Sequence, residues 1–235
     1  MKNFLDKAER IHGQLMHQNF KDAFADVFRA RDELQAIYSK SDLDIDNIET
    51  LFGIIEMAQV VGRFINRDEK NIANLRKSIV TLITETLEHS IQFPTSERGL
   101  FPPHPYGEFV DMVIELGDYN SSFITFNYDL ALDFALYSRR VRYDYHFSET
   151  LKDPHYPLLK LHGSINWRGC KNCNDIKEYA IKPALFQNIH KKKSVTLQLE
   201  QLAQGFQREC PKCRQETQSA IVPPTWNKTW YSKEL

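Results

Sequence analysis

The sequence predicts a mixed α/β fold with a helical amino-terminal region and a small zinc-ribbon-type lobe. Three observations carry this expectation. Apolar residues recur at three- and four-residue steps through roughly the first 118 positions, short apolar runs end abruptly in polar residues from Ser121 onward, and all four cysteines fall into two Cys-x-x-Cys pairs. With 235 residues, 42% of them hydrophobic and 26% charged, the chain can close a core and suits a soluble globular protein.

Phe20, Phe24, Val27, Arg31, Leu34 and Tyr38 lie along one stripe and predict an amphipathic helix over residues 19–38. The acidic turn formers of SDLDIDNIETLF can cap a second helix running to about Asn66, with Ile48, Leu51, Phe52, Ile55 and Val61 inward. A third helix over residues 69–89 presents Ile72, Leu75, Ile79, Leu82 and Ile83, before a loop rich in Pro and Gly, FPTSERGLFPPHPYG. Residues 107–116 suit a short helix.

At Ser121 the period changes. SSFITF is short, aromatic and β-branched, and Asn127, Tyr128 and Asp129 stop it before LALDFALY resumes a helical step. Ligands of open α/β sheets sit beyond the carboxyl ends of strands, which places Asn127 and Asp129 where chemistry can be done. The competing reading is that Asn127 turns the chain and Asp129 caps the helix. RVRYDYHF reads as an edge strand, and PLLKLHGSINW then repeats the earlier arrangement, with a strand over residues 158–161 breaking at His162, Gly163 and Ser164. Gly163 would allow a bend or a close approach to a ligand, while a lone His after a strand also has a purely structural reading. SAIV forms a last strand, ended by Pro223 and Pro224.

Cys170 with Cys173 and Cys210 with Cys213 can each turn two thiolates toward one ion, and together they supply the four soft ligands that tetrahedral zinc favours. Because 36 residues separate the pairs, separate hairpins at the root of a small lobe are expected to carry them. A closed four-sulfur site leaves no position for substrate water, so the zinc is expected to be structural. Iron could take the same ligands, and one pair alone could serve as a redox dithiol.

The formal net charge of −1 gives the whole chain no attraction to nucleic acid or an anionic membrane. A local excess does exist from Lys160 to Arg214, with eleven Lys or Arg against four Asp or Glu, including Lys191, Lys192 and Lys193. A solvated loop accounts for that run, and nucleic acid is disfavoured as a partner. The sequence has no apolar stretch of membrane-spanning length and opens without a signal-peptide pattern, so no membrane partner and a cytoplasmic location are expected.

Thr125, Asn127 and Asp129 in TFNYD, His162 and Gly163 in KLHGSINW, the two cysteine pairs and Val222, Pro223 and Pro224 in AIVPPTW form an ordered series. That series resembles the sirtuin superfamily, in particular its divergent bacterial branch of silent-information-regulator-two-like domains. DNIETLF resembles a helix that precedes the asparagine motif in that branch, so the likeness extends over about residues 46–230. The resemblance implies a partial Rossmann-like dinucleotide-binding fold carrying a zinc lobe, and NAD as substrate or ligand. It implies cleavage of the nicotinamide–ribosyl bond, with water as acceptor in a bacterial, antiviral-defence type of hydrolase. His162 would be the base or hydroxyl-orienting residue and Asn127 would position water or ribose. Thr125, Asp129 and Gly163 would complete the cofactor-binding set.

The family's opening glycine-rich phosphate loop has no counterpart before Asp46, and its closing strands have none before Leu235. The resemblance therefore implies a domain incomplete at both ends, whose partners would include additional protein subunits or missing segments of the same gene product. The implied organisation is a helical region over 1–118, the central Rossmann-like part over 119–168, the zinc lobe over 169–218 and a return strand over 219–235. Two other functions compete with NAD hydrolysis: a catalytically inactive zinc-containing fragment or interaction module, and an NAD-dependent protein deacetylase.

Overall fold

A computed structural model describes residues 4–15, 17–38, 43–65, 67–97, 99–117, 121–147, 155–179, 194–196 and 209–222. The lysine run at 191–193 and the Pro223–Pro224 pair lie outside these residues, as does the end of the likeness at Trp230. Two compact units are present, one containing the described residues up to Leu87 together with Val222, the other those from Glu88 to Ile221.

The first unit is helical: α1 (Phe4–His12), α2 (Gln18–Ile37), α3 (Ile48–Val61) and most of α4 (Glu69–Ser90). Most of the expected stripe residues are buried, but Phe20 and Arg31 of the α2 stripe are half-buried, and Tyr38 is exposed because α2 ends at Ile37 and leaves it at the C-cap. Phe24, Val27 and Leu34 of α2, Leu51, Phe52 and Ile55 of α3, and Ile72, Leu75, Ile79, Leu82 and Ile83 of α4 are all buried. Asn47 caps α3, its side chain accepting from the Glu49 amide at 2.9 Å, and Gly62 ends that helix with φ of +72°. The end comes before Asn66, and Val61 is exposed rather than inward because six residues at about 100° each carry it off the face of buried Ile55. Asp68 accepts from the Asn71 amide at 2.8 Å at the start of α4. Arg67 holds Asp26 at 2.8 Å and Glu33 at 3.4 Å, which ties the approach to α4 back to α2.

The second unit departs first from expectation at the Pro- and Gly-rich loop. Gln92–Ser96 (β1) and Gly99–Leu100 (β2) form an antiparallel hairpin, to which β8 (Ser194–Thr196) adds on the other side. Pro94 still contributes its carbonyl, which accepts from the Phe101 amide at 2.8 Å, and the neighbouring Phe93 meets Phe134 edge-on at 4.9 Å. Next come α5 (Tyr106–Leu116), β3 (Phe123–Thr125), α6 (Ala131–Ser138), β4 (Tyr143–Asp144) and β5 (Tyr156–Lys160). The three strands make a parallel sheet in the order β3-β5-β4, with β4 on the edge as its charged, aromatic sequence suggests. Its core joins Val110 of α5, Leu132, Ala135 and Leu136 of α6, and Phe123, Tyr156 and Leu158 of the strands.

The break after β5 is shorter than the sequence suggests. Only Leu161 and His162 intervene before Gly163 opens β6 (Gly163–Cys170), which pairs antiparallel with β7 (Asp175–Glu178) and β9 (Gln218–Ile221). Gly163 has φ of +79°, and a Cβ there would lie 2.1 Å from the Ala220 carbonyl oxygen. The close approach that glycine permits is thus to the neighbouring strand. Arg168, buried within this sheet, fastens β6 to the β9 side by donating to Thr217 Oγ1 at 2.9 Å, to the Thr217 carbonyl and to Ser219 Oγ. Among the described residues no helix is long and apolar enough to cross a membrane.

Candidate functional site

The two Cys-x-x-Cys pairs sit on separate hairpins. Cys170 ends β6 and Cys173 lies in the turn to β7, while Cys210 and Cys213 occupy a second turn flanked by a Glu209–Glu216 bridge. Each turn places a left-handed residue directly after its second cysteine, Asn174 with φ of +47° and Arg214 with φ of +61°. That reversal brings the two thiols of a pair to the same side. In the second turn the Cys210 amide donates to the Gln215 carbonyl and the Arg214 amide to the Cys210 carbonyl, both at 2.8 Å.

The sulfurs meet across the hairpins, Cys170 with Cys213 at 3.5 Å and Cys210 with Cys173 at 3.8 Å, and all four lie within 4.8 Å of one another. A tetrahedral ion with metal–sulfur bonds of about 2.3 Å requires sulfur–sulfur edges of about 3.8 Å. The cluster therefore fits a structural metal of the zinc type. Cys170 and Cys210 are buried and Cys173 and Cys213 half-buried, so each hairpin contributes one thiol of each kind. The Gln215 amide is the main cause holding the Cys213 thiol down to about 6, whereas hydrogen bonding with Cys213 leads the effects that push Cys173 up to about 12. Lys212 spans the hairpins by pairing with Asp175 at 2.7 Å.

At the other end of β6 lie the remaining sequence-marked residues. Parallel pairing sets Thr125 opposite Lys160, so Asn127 and His162 each stand two residues beyond a paired strand end. The Leu161 amide donates to the Thr125 carbonyl at 3.0 Å, and the Tyr128 carbonyl accepts from the Ile165 amide at 3.0 Å and Ser164 Oγ at 3.2 Å. These bonds join the TFNYD and LHGS segments. His162 is half-buried, stacked on Tyr128 at 5.9 Å and meeting Phe126 edge-on at 5.1 Å.

Asn127 is exposed and its Nδ2 donates to the Tyr106 hydroxyl at 3.3 Å, while its amide donates to Thr125 Oγ1 at 3.1 Å. Asp129 stands one residue before the cap position held by Leu130, and its Oδ1 accepts from the Ala131 amide at 2.9 Å at the start of α6. Burial raises the Asp129 carboxyl above the usual range, outweighing that bond and the nearby Lys160. Burial likewise raises the Tyr106 phenol, with Asp129 adding to the effect.

No family model matches the chain. No curated protein matches it either. The assignment of chemistry therefore rests on the geometry and the residues themselves.

Beneath the strand ends lies a polar network that the sequence alone does not reveal. Lys160, in line with buried Tyr156 and Leu158 on β5, donates to the Asp129 carbonyl and to Asp133 Oδ2 at 3.0 Å. The Tyr145 hydroxyl donates to Asp133, Asn166 Nδ2 donates to that hydroxyl at 3.3 Å, and the same Nδ2 donates to the Tyr179 carbonyl at 3.0 Å. Two signals were available: a lysine closing the apolar run PLLK and a single aspartate inside LALDFALY. Neither is costly on the surface, but both fall on faces that turn inward.

Proposed function

We propose that this chain is a zinc-containing module in which Cys170, Cys173, Cys210 and Cys213 hold a structural ion and thereby fix the β7-β6-β9 sheet for interaction with other proteins or segments. The observation that carries this reading is the approach of four thiol sulfurs from two hairpins to within 4.8 Å of one another. A closed four-sulfur shell has no open position for substrate, so the ion contributes folding free energy. Metal analysis of the purified chain should give one zinc per molecule, lost in Cys170→Ser and Cys210→Ser. A coloured iron–thiolate chromophore in its place would assign iron, and a metal-free folded chain would remove the reading.

A second reading is favoured by one further observation, the placement of Asn127 and His162 just beyond two hydrogen-bonded parallel strand ends. Combined with the resemblance to sirtuin-like domains, it supports NAD as ligand on a partial Rossmann-like sheet. In hydrolysis the ribose C1′–nitrogen bond would break with its electron pair leaving on nicotinamide, and a water oxygen would bond to C1′. His162 would take the water proton or orient a ribose hydroxyl, and Asn127 would hold the nucleophile through an amide that both donates and accepts. Nicotinamide release from NAD by the wild-type chain and not by His162→Ala would make the module an enzyme. Consumption of an acetyl-lysine peptide in equal amount would make it a deacetylase, and absence of both turnover and micromolar NAD binding would leave the module reading in place.

A further inference from the structure

The parallel sheet carries a second group of metal-ligating side chains. His155 directly precedes β5, Asp144 ends β4, and pairing of Tyr143 with Tyr156 and of Asp144 with Pro157 sets these residues next to one another. His146 follows in a turn with φ of +60°, its amide donating to Asp144 Oδ2 at 3.0 Å. That turn folds the His146 ring back: its Nδ1 lies 3.9 Å from Asp144 Oδ2 and its ring centre 5.6 Å from that of His155. One ligand atom from each of the three residues lies within 4.8 Å of the other two.

The site is separate from the one marked by Asn127 and His162. His155 stands before the first residue of β5 and His162 beyond its last, and five strand residues at about 3.3 Å each span roughly 16 Å. It shares no ligand with the cysteine cluster.

Two imidazole nitrogens and one carboxylate oxygen form a borderline donor set. They suit zinc, cobalt, nickel or copper, whereas magnesium and calcium seek shells made of oxygen. Binding needs ligand atoms drawn to about 2.0–2.2 Å from the ion, which rotation of partly exposed side chains can supply. Three protein ligands leave at least one position for water, so the site is open where the cysteine site is closed. We propose that Asp144, His146 and His155 form a second, exchangeable site for a divalent transition metal, independent of the Cys170–Cys213 cluster.

The test uses the full, tag-free chain supplied with zinc and titrated with Co2+ under equilibrium dialysis, with metal analysis and absorption spectra. One equivalent of Co2+ should bind beyond the resident metal, with the weak absorption of nitrogen and oxygen ligation rather than intense thiolate-to-cobalt charge transfer. His155→Ala should weaken that binding about 10-fold or more. His146→Asn, which keeps a residue tolerant of the left-handed backbone, should do the same, and exposed His104→Ala should leave it unchanged. Retention of resident zinc and of far-ultraviolet circular dichroism shows that each variant is folded. No Co2+ beyond the resident metal, equal binding by His146→Asn and wild type, or displacement of Co2+ by an equal concentration of Mg2+ would each overturn the proposal.

Discussion

Lys160 Nζ lies 3.0 Å from Asp133 Oδ2, and both side chains are only 1% exposed. The pair joins the end of β5 to the first turn of α6, just after the segment containing Asn127 and Asp129. Removing one partner leaves an uncompensated charge in a region without bulk water, a change that costs about 3–5 kcal/mol for buried pairs. Lys160→Met and Asp133→Leu should each lower the urea midpoint strongly, and the double variant should lose less than the sum of the two. Additive losses would mean that the two groups do not support one another.

The helical unit was legible in the sequence because its elements are long and periodic. Phe24, Leu51 and Ile79 are buried as their spacing requires, whereas the end of α3 at Gly62 was not legible, because a glycine inside an apolar run reads as helix interior until its left-handed backbone is seen. The cysteine cluster was legible because thiol pairs at that spacing have few other uses. The β1–β2 hairpin was not, since Pro94 and Gly99 are turn formers and the pairing of β1 with β8 joins segments about a hundred residues apart. Lys160 and Asp133 were missed for a related reason: only the tertiary fold makes two isolated charges into a pair. Gly163 suggests a bend or a ligand's close approach, but the sequence contains nothing to show that the backbone of β9 lies against it.

Gly163→Ala should destabilise the β7-β6-β9 sheet. The new methyl group meets the Ala220 carbonyl oxygen at 2.1 Å, and the +79° backbone is disfavoured for alanine even without that contact. A loss of about 2–4 kcal/mol in chemical denaturation is expected, steric overlap adding to the backbone cost. Gly169→Ala is the control, because its Cβ would find only Ile176 Cγ1 at 3.9 Å. Equal stability of the two variants would count against the close β6–β9 approach.

Asp129 gives a pH dependence with a definite sign. Burial raises its folded carboxyl pKa above the unfolded value, so the folded state binds the extra proton between the two. Its contribution is fully present below the unfolded pKa and is lost as pH rises through the folded one. An asparagine side chain keeps an oxygen to accept from the Ala131 amide without the ionisation, so Asp129→Asn should gain stability relative to wild type as pH rises from 3 to 7. Urea titrations at those two values provide the check. A variant that loses ground over the same interval would show that the carboxylate is favoured in the fold.

Metal removal should loosen one sheet and leave the helical unit in place. Cys170 is the last residue of β6, the strand whose first residue, Gly163, follows His162, so the cysteine cluster and the LHGS turn are joined by eight residues of one strand. Releasing the ion removes the bond between the two hairpins and leaves the β6–β9 pairing, Arg168 and the Lys212–Asp175 pair to hold them, the last an exposed contact worth little in water. Protons compete with the metal for thiolates, so chelation should become easier as pH falls. Hydrogen exchange on the chelated chain should show faster exchange in residues 163–170 and 175–178, with the buried amides of α2 and α3 unchanged. Loss of protection throughout both units would instead make the ion a requirement for the whole fold, and unchanged protection in β6 would mean that the hairpins hold without it.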